Sequence, residues 1–178
     1  PQIVRRLDFK GRFATVASSL GFTVATSTRK RRAKQNERVE SALMAIAKID
    51  SAPGSKRLRF NLVQTCVIPK ITYGVQVVFP ADKVLSRLRT AVVKTVFSCQ
   101  RAMREPNVVI SIINPAHRID PKGAIVFSCI KGFYCLFNSN AEFKEIAGNI
   151  WKDVIAKKIP GPLFALWEAM KFLCWEPS

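Results

Sequence analysis

Acidic residues are scarce in this sequence. Twelve Asp and Glu stand against 29 Lys and Arg, giving a formal net charge of +17 over 178 residues. Charge so one-sided repels itself and predicts a polyanionic partner. Histidine is scarcer still: His117 is the only one. It could join Cys129 and Cys135 around zinc, but the spacing matches no zinc pattern, so we read it as a loop residue. No GxxxxGK[ST] loop and no GxGxxG occurs. No two aspartates stand close enough in sequence to suggest a two-metal centre. Asp8, Asp50, Asp82, Asp120 and Asp153 are scattered, each at an expected turn or helix start, where a carboxylate caps free amides. We therefore expect no catalytic residue, no metal site, no cofactor and no enzymatic activity from this chain alone.

Paired cysteines are also missing. Cys66, Cys99, Cys129, Cys135 and Cys174 are odd in number and contain no CxxC, which argues against a secreted disulfide framework. Reduced, mostly buried thiols in an intracellular protein, of nucleus or mitochondrion, are expected. No secretory signal opens the chain. It begins at Pro1 without Met, as a processed product or fragment would. The most apolar window, FNLVQTCVIPKITYGVQVVF, is interrupted by Asn61, Gln64, Pro69 and Lys70. A membrane span needs about 20 mostly apolar residues, so no span is expected.

What the sequence does have is apolar content, 48% of residues, enough for a core and unlike a disordered chain. The charge is uneven. Residues 1–60 carry 14 basic and 4 acidic groups, residues 61–122 carry 9 and 3, and residues 123–178 carry 6 and 5. The first two thirds should meet the anion. The last third, with Trp151, Trp167 and Trp175, should serve packing.

Periodicity predicts a mainly α fold. Residues 14–27 are β-branched and small and read as two short strands or a hairpin. Val39, Ala42, Leu43 and Ile46 recur at helical spacing over residues 32–49. DSAPGSK is a turn, followed by a helix from Lys56 to Val67 that Pro69 should stop. ITYGVQVVF is helical or extended. Asp82 is the expected N-cap of a helix over residues 82–102 whose apolar face holds Val84, Leu85, Leu88, Val92 and Val96. Residues 104–123 hold a short helix or strand and a turn. GAIVFSCIKGFYCLF reads as a buried helix, NAEFKEIAGNIWKDVIAKK as an amphipathic one, and PGPLFALWEAMKFLCW as a last helix with Pro162 in its first turn.

Two sets of cations have helical order. Arg29, Lys30, Arg31, Arg32 and Lys34 crowd the entry to the first helix, where free amides and the dipole already favour phosphate; a localisation signal is the alternative. Lys83, Arg87, Lys94 and Arg101 are spaced by 4, 7 and 7, which at 100° per residue keeps them within roughly 40°. No acid lies between Lys83 and Arg104, so we expect a cationic ridge rather than a merely solvated face, which mixes both signs. Lys56, Arg57, Arg59 and Lys70 complete the candidate phosphate-binding set.

The order of these segments resembles the region that follows the catalytic aspartates in reverse transcriptases of non-long-terminal-repeat (LINE-type) retroelements. Ser19-Leu20-Gly21-Phe22 resembles the hairpin that closes the palm, and residues 30–100 the helical thumb. Ile68-Pro69-Lys70-Ile71-Thr72-Tyr73-Gly74 is similar to a P-x-x-x-Y-G pattern between thumb helices. Arg118-Ile119-Asp120-Pro121-Lys122 resembles a segment beyond the thumb in protist versions. The resemblance covers about residues 10–125. It implies a palm-end hairpin over 1–28, a basic thumb-like helical bundle over 29–104 and a helical C-terminal packing extension over 105–178. The palm's aspartate-bearing strand and the fingers are absent, so the chain resembles a piece of a larger polymerase or a domesticated remnant. The expected partner is RNA or an RNA–DNA duplex held by its phosphates, with a protein partner at the C-terminal aromatics. The alternative is an RNA-contacting structural subunit of a large assembly such as an organellar ribosome.

Overall fold

A computed structural model describes residues 16–19, 22–25, 28–97, 109–110, 118–159 and 161–175, with side chains from Ala33 onward. The protein is mainly helical. Two four-residue strands, β1 (Val16–Ser19) and β2 (Phe22–Ala25), pair antiparallel with Ser19 opposite Phe22. Leu20-Gly21, on which the palm-closing comparison turns, lies outside the described residues.

Helix α1 (Thr28–Ser51) buries Val39, Ala42, Ile46 and Ile49 on one stripe. Three- and four-residue spacing stacks them on one face. After the turn at 52–55, Ser55 caps α2 (Lys56–Leu62), its hydroxyl accepting from the Leu58 amide at 3.3 Å. Here the structure corrects the sequence expectation. The helical rod does not end before Pro69. It passes through a π-turn, Val63–Val67, into α3 (Ile68–Thr72). The Ile68 amide donates to the Val63 carbonyl, five residues back. A proline in an α-helix lacks its amide and crowds the carbonyl four residues before it. One wide turn relieves that conflict without breaking the rod. Val63, Val67 and Ile71 are consequently fully buried on one side.

The rod ends at Tyr73. Gly74 follows at φ 77°, a conformation that glycine adopts without steric cost. The segment ITYGVQVVF is thus helical to Thr72 and a turn beyond it. Helix α4 (Asp82–Phe97) then begins on Asp82 itself, with the Ala81 carbonyl accepting from Val84 and Leu85. Asp82 is therefore a first-turn residue, favourable to the helix dipole, and Ala81 holds the cap position expected of it. Leu85, Leu88, Val92 and Val96 are buried and Val84 is half-buried. Full burial of a leucine contributes about 1.5–3 kcal/mol.

Helix α5 (Pro121–Ser139) lies against the rod and α4, followed by α6 (Ala141–Ala156) and α7 (Pro162–Phe172). Asn140 caps α6, its side chain accepting from Phe143 at 2.9 Å. The main core joins Val39, Val67, Leu85 and Leu88 to Ile119, Ile125, Cys129, Ala165 and Ala169. The boundary expected at 104/105 thus does not separate two cores. A second, smaller cluster of Ala147, Val154 and Leu163 is covered by Phe133, Phe143, Trp151 and Phe164. Among the described residues, no helix is long and apolar enough to cross a membrane.

Two contacts fix how the rod and α5 sit. Arg38 of α1 donates to the Tyr73 carbonyl at 3.0 Å, and its guanidinium stands 4.9 Å from the Tyr73 ring centre. Cys129 of α5 donates to the Val75 carbonyl at 3.5 Å. Its thiol is 2% exposed, and burial pushes its pKa up from 9.0 to about 12.

Candidate nucleic-acid interface

Helix α4 carries the candidate ridge. Lys83, Arg87 and Lys94 are all exposed on it, and helix geometry spreads Lys83 to Lys94 over about 17 Å. Arg101 lies outside the described residues, so the ridge is described to Lys94. The ridge is not free of acid. Glu40 of α1 reaches Arg87, with Nη1 to Oε1 at 2.8 Å. The two residues are 47 positions apart and meet because α1 packs alongside α4. Both side chains are more than half exposed. Such a pair contributes at most about 1 kcal/mol, so Arg87 can exchange Glu40 for a phosphate at small cost.

Lys34 is likewise paired, with Glu37 at 2.7 Å on the next turn of α1. The backbone of Arg29, Lys30, Arg31 and Arg32 is helical within α1, which fits an ordered helix entry. Their side chains lie outside the described residues. Lys56 and Arg57 are exposed in the first turn of α2. Lys70 is exposed on α3, beside an open groove lined also by Ser41, Pro69 and Tyr73. Among the described residues, none of Lys56, Arg57, Lys70, Lys83 and Lys94 forms an ion pair.

Arg59 is the candidate that the structure reassigns. It is half-buried, and its guanidinium donates to the carbonyls of Thr95 and Ala52, both at 3.4 Å. Ala52 closes α1 and Thr95 belongs to the last turn of α4. Carbonyls at helix ends lack intrahelical donors, and an arginine there satisfies them. Arg59 ties the ends of three helices instead of facing a ligand. It also places Lys56 and Arg57, within the preceding turn of α2, at the end of the bundle that holds Lys94.

A pair that residue counting missed lies on α4 as well. Arg89 donates from Nε and Nη2 to the two carboxylate oxygens of Asp120, at 2.9 and 3.3 Å. Both side chains are nearly buried, 13% and 11% exposed. Asp120 also caps α5 by accepting from the Lys122 amide at 3.1 Å. The RIDPK stretch is therefore a structural clip, and only its capping aspartate was legible in sequence.

Cysteine burial also differs from expectation. Cys129 is buried, whereas Cys66, Cys135 and Cys174 are exposed free thiols; Cys99 and His117 lie outside the described residues. Among the described residues no group of three His, Cys, Asp or Glu could hold a metal ion. At the C-terminal end Trp151, Trp167 and Phe164 are half-buried, while Phe172 and Trp175 are exposed. Comparison with protein-family models, curated proteins and solved structures finds no match to this chain.

Proposed function

We propose that the chain binds nucleic acid, RNA foremost, through phosphate contacts that do not read sequence. The observation that carries this reading is the set of exposed cations on one side and one end of the bundle. Lys83, Arg87 and Lys94 stand along α4, with Lys56 and Arg57 beside its C-terminal end. A net charge of +17 leaves such a surface without enough acid of its own to neutralise it. The exposed pairing of Arg87 with Glu40 lowers the local charge but is weak enough to open. In this reading the helical bundle acts as a thumb-like element, and the hairpin of β1 and β2 as the end of a palm-like region. The chain would then be a binding part of a reverse-transcriptase-like protein, without catalysis by itself, in the nucleus or mitochondrion.

The test is binding of mixed-sequence RNA, DNA and RNA–DNA duplexes over a salt series. Phosphate-driven binding gives similar affinities for unrelated sequences, with log K falling linearly in log salt. Strong discrimination between sequences, or no salt dependence, would contradict it.

A second reading is an RNA-contacting structural subunit of a larger assembly. It is favoured by apolar side chains left open on the C-terminal half: Tyr134 on α5, Ile146 on α6 and Trp175 after α7 are 67%, 52% and 56% exposed. Large exposed apolar groups mark protein contacts when they form one patch. Sedimentation of the isolated chain separates the two readings, since a monomer that stays soluble favours the first.

A further inference from the structure

A second contact for nucleic acid lies away from the α4 ridge, between the rod and α5. An open groove of about 560 Å³ runs there, lined by Gln64 and Ile68 of the rod, by Phe127, Ser128 and Lys131 of α5, and by Arg118. Phe127 is 66% exposed, although Val126 and Ile125 beside it are buried. An aromatic ring held open on a rigid helix costs solvation and contributes little to the core. Lys131 follows one turn later on the same face, about 6 Å along the axis. Both Arg118 and Lys131 are exposed, and among the described residues no carboxylate lines the groove.

We infer that this groove takes an unpaired base of single-stranded nucleic acid, stacked on Phe127, with neighbouring phosphates on Arg118 and Lys131. The inference rests on the nucleic-acid reading above and adds a strand preference to it. An apolar protein partner would have to bury the two exposed cations, at considerable cost. A nucleotide meets each part of the site: its base has a face for the ring, and its phosphates neutralise the cations. Aromatic platforms set between basic side chains bind single strands in this way. The volume suits a ligand of nucleotide size.

The test uses the full chain with a mixed-sequence single strand carrying 5-iodouridine and with a duplex of the same sequence. Irradiation should join the single strand to the peptide containing Phe127. Phe127→Ala should weaken single-strand binding about tenfold, the size of one lost stacking contact. It should leave duplex binding unchanged. Phe127→Trp should restore the single-strand affinity. Folding is not at stake, because the ring is mostly exposed. If Phe127→Ala binds the single strand as tightly as the wild type, the inference is wrong and the ridge reading stands. If the wild type binds the duplex but no single strand, the inference fails in the same way. If neither nucleic acid binds, both the inference and the reading beneath it are overturned.

Discussion

Arg89 and Asp120, 31 residues apart, form a bidentate ion pair that joins the middle of α4 to the start of α5. The Asp120 carboxylate serves two elements at once, since Oδ1 accepts from both Arg89 Nε and the Lys122 amide. Removing one partner leaves the other charge nearly buried without its ion-pair partner, which costs about 3–5 kcal/mol. Arg89→Ala and Asp120→Ala should therefore each lower the unfolding free energy by an amount in that range. In chemical denaturation, the double variant should lose less than the sum of the two. Additive losses would mean the pair is not coupled.

Gly132 of α5 faces the turn after the rod. A Cβ built there would stand 2.7 Å from Gln76 Cγ. Overpacking of this kind costs about 1–3 kcal/mol, and alanine returns about 1 kcal/mol in a helix interior, so Gly132→Ala should destabilise the protein by up to about 2 kcal/mol. Adding Gln76→Ala removes the obstructing atoms and should recover most of the loss. If Gly132→Ala raises stability by the full ~1 kcal/mol of an unobstructed helix position, the two elements are not held at this distance.

Gln35 is only 4% exposed, and its amide nitrogen has no hydrogen-bond partner among the described residues. It lines a cavity that also holds Asp82 and Glu168. An unsatisfied buried donor costs about 1–3 kcal/mol, so Gln35→Met should leave the stability unchanged or raise it by about 1 kcal/mol. A loss of stability in thermal denaturation would show that the amide is satisfied in solution.

Cys129 makes stability depend on alkaline pH. Its folded pKa of about 12 lies above the ordinary 9.0, so the unfolded chain loses this proton first as pH rises. The contribution is complete below about pH 9 and is lost as pH climbs from 9 toward 12. The slope approaches about 1.4 kcal/mol per unit within that window. Cys129→Ala should flatten the decline between pH 8 and pH 10.5 relative to the wild type, read by denaturant midpoints. Equal declines would place the thiol in contact with water. For the same reason Cys66, Cys135 and Cys174 should react with thiol reagents in the native protein, and Cys129 only on unfolding.

The stripes of α1 and α4 were legible because burial against one neighbour imposes a period of 3.6 on the apolar residues. Val39, Ala42, Ile46, Leu85, Leu88 and Val92 all fall on the expected faces. Pro69 misled because a proline reads locally as a stop, whereas the π-turn that accommodates it leaves no signature in residue type. Pairings across helices were out of reach. Glu40 with Arg87, Arg59 with Thr95 and Arg89 with Asp120 depend on how rods pack, which periodicity along one chain does not encode. Phe127 was hidden differently. Its run of apolar neighbours reads as uniformly buried, yet α5 turns one side outward into the groove beside the rod.

The central claim is that the α4 ridge holds phosphates, and its direct test is the salt dependence of binding in the double variant Lys83→Gln/Lys94→Gln. These two lysines are exposed and form no ion pair among the described residues, so folding should hardly change. Each phosphate contact on duplex DNA contributes nearly one unit to the slope of log K against log salt. The double variant should bind every sequence more weakly than the wild type and show a slope shallower by nearly two units. Wild-type affinity and slope at every salt concentration would contradict the claim and leave the ridge a solvated face.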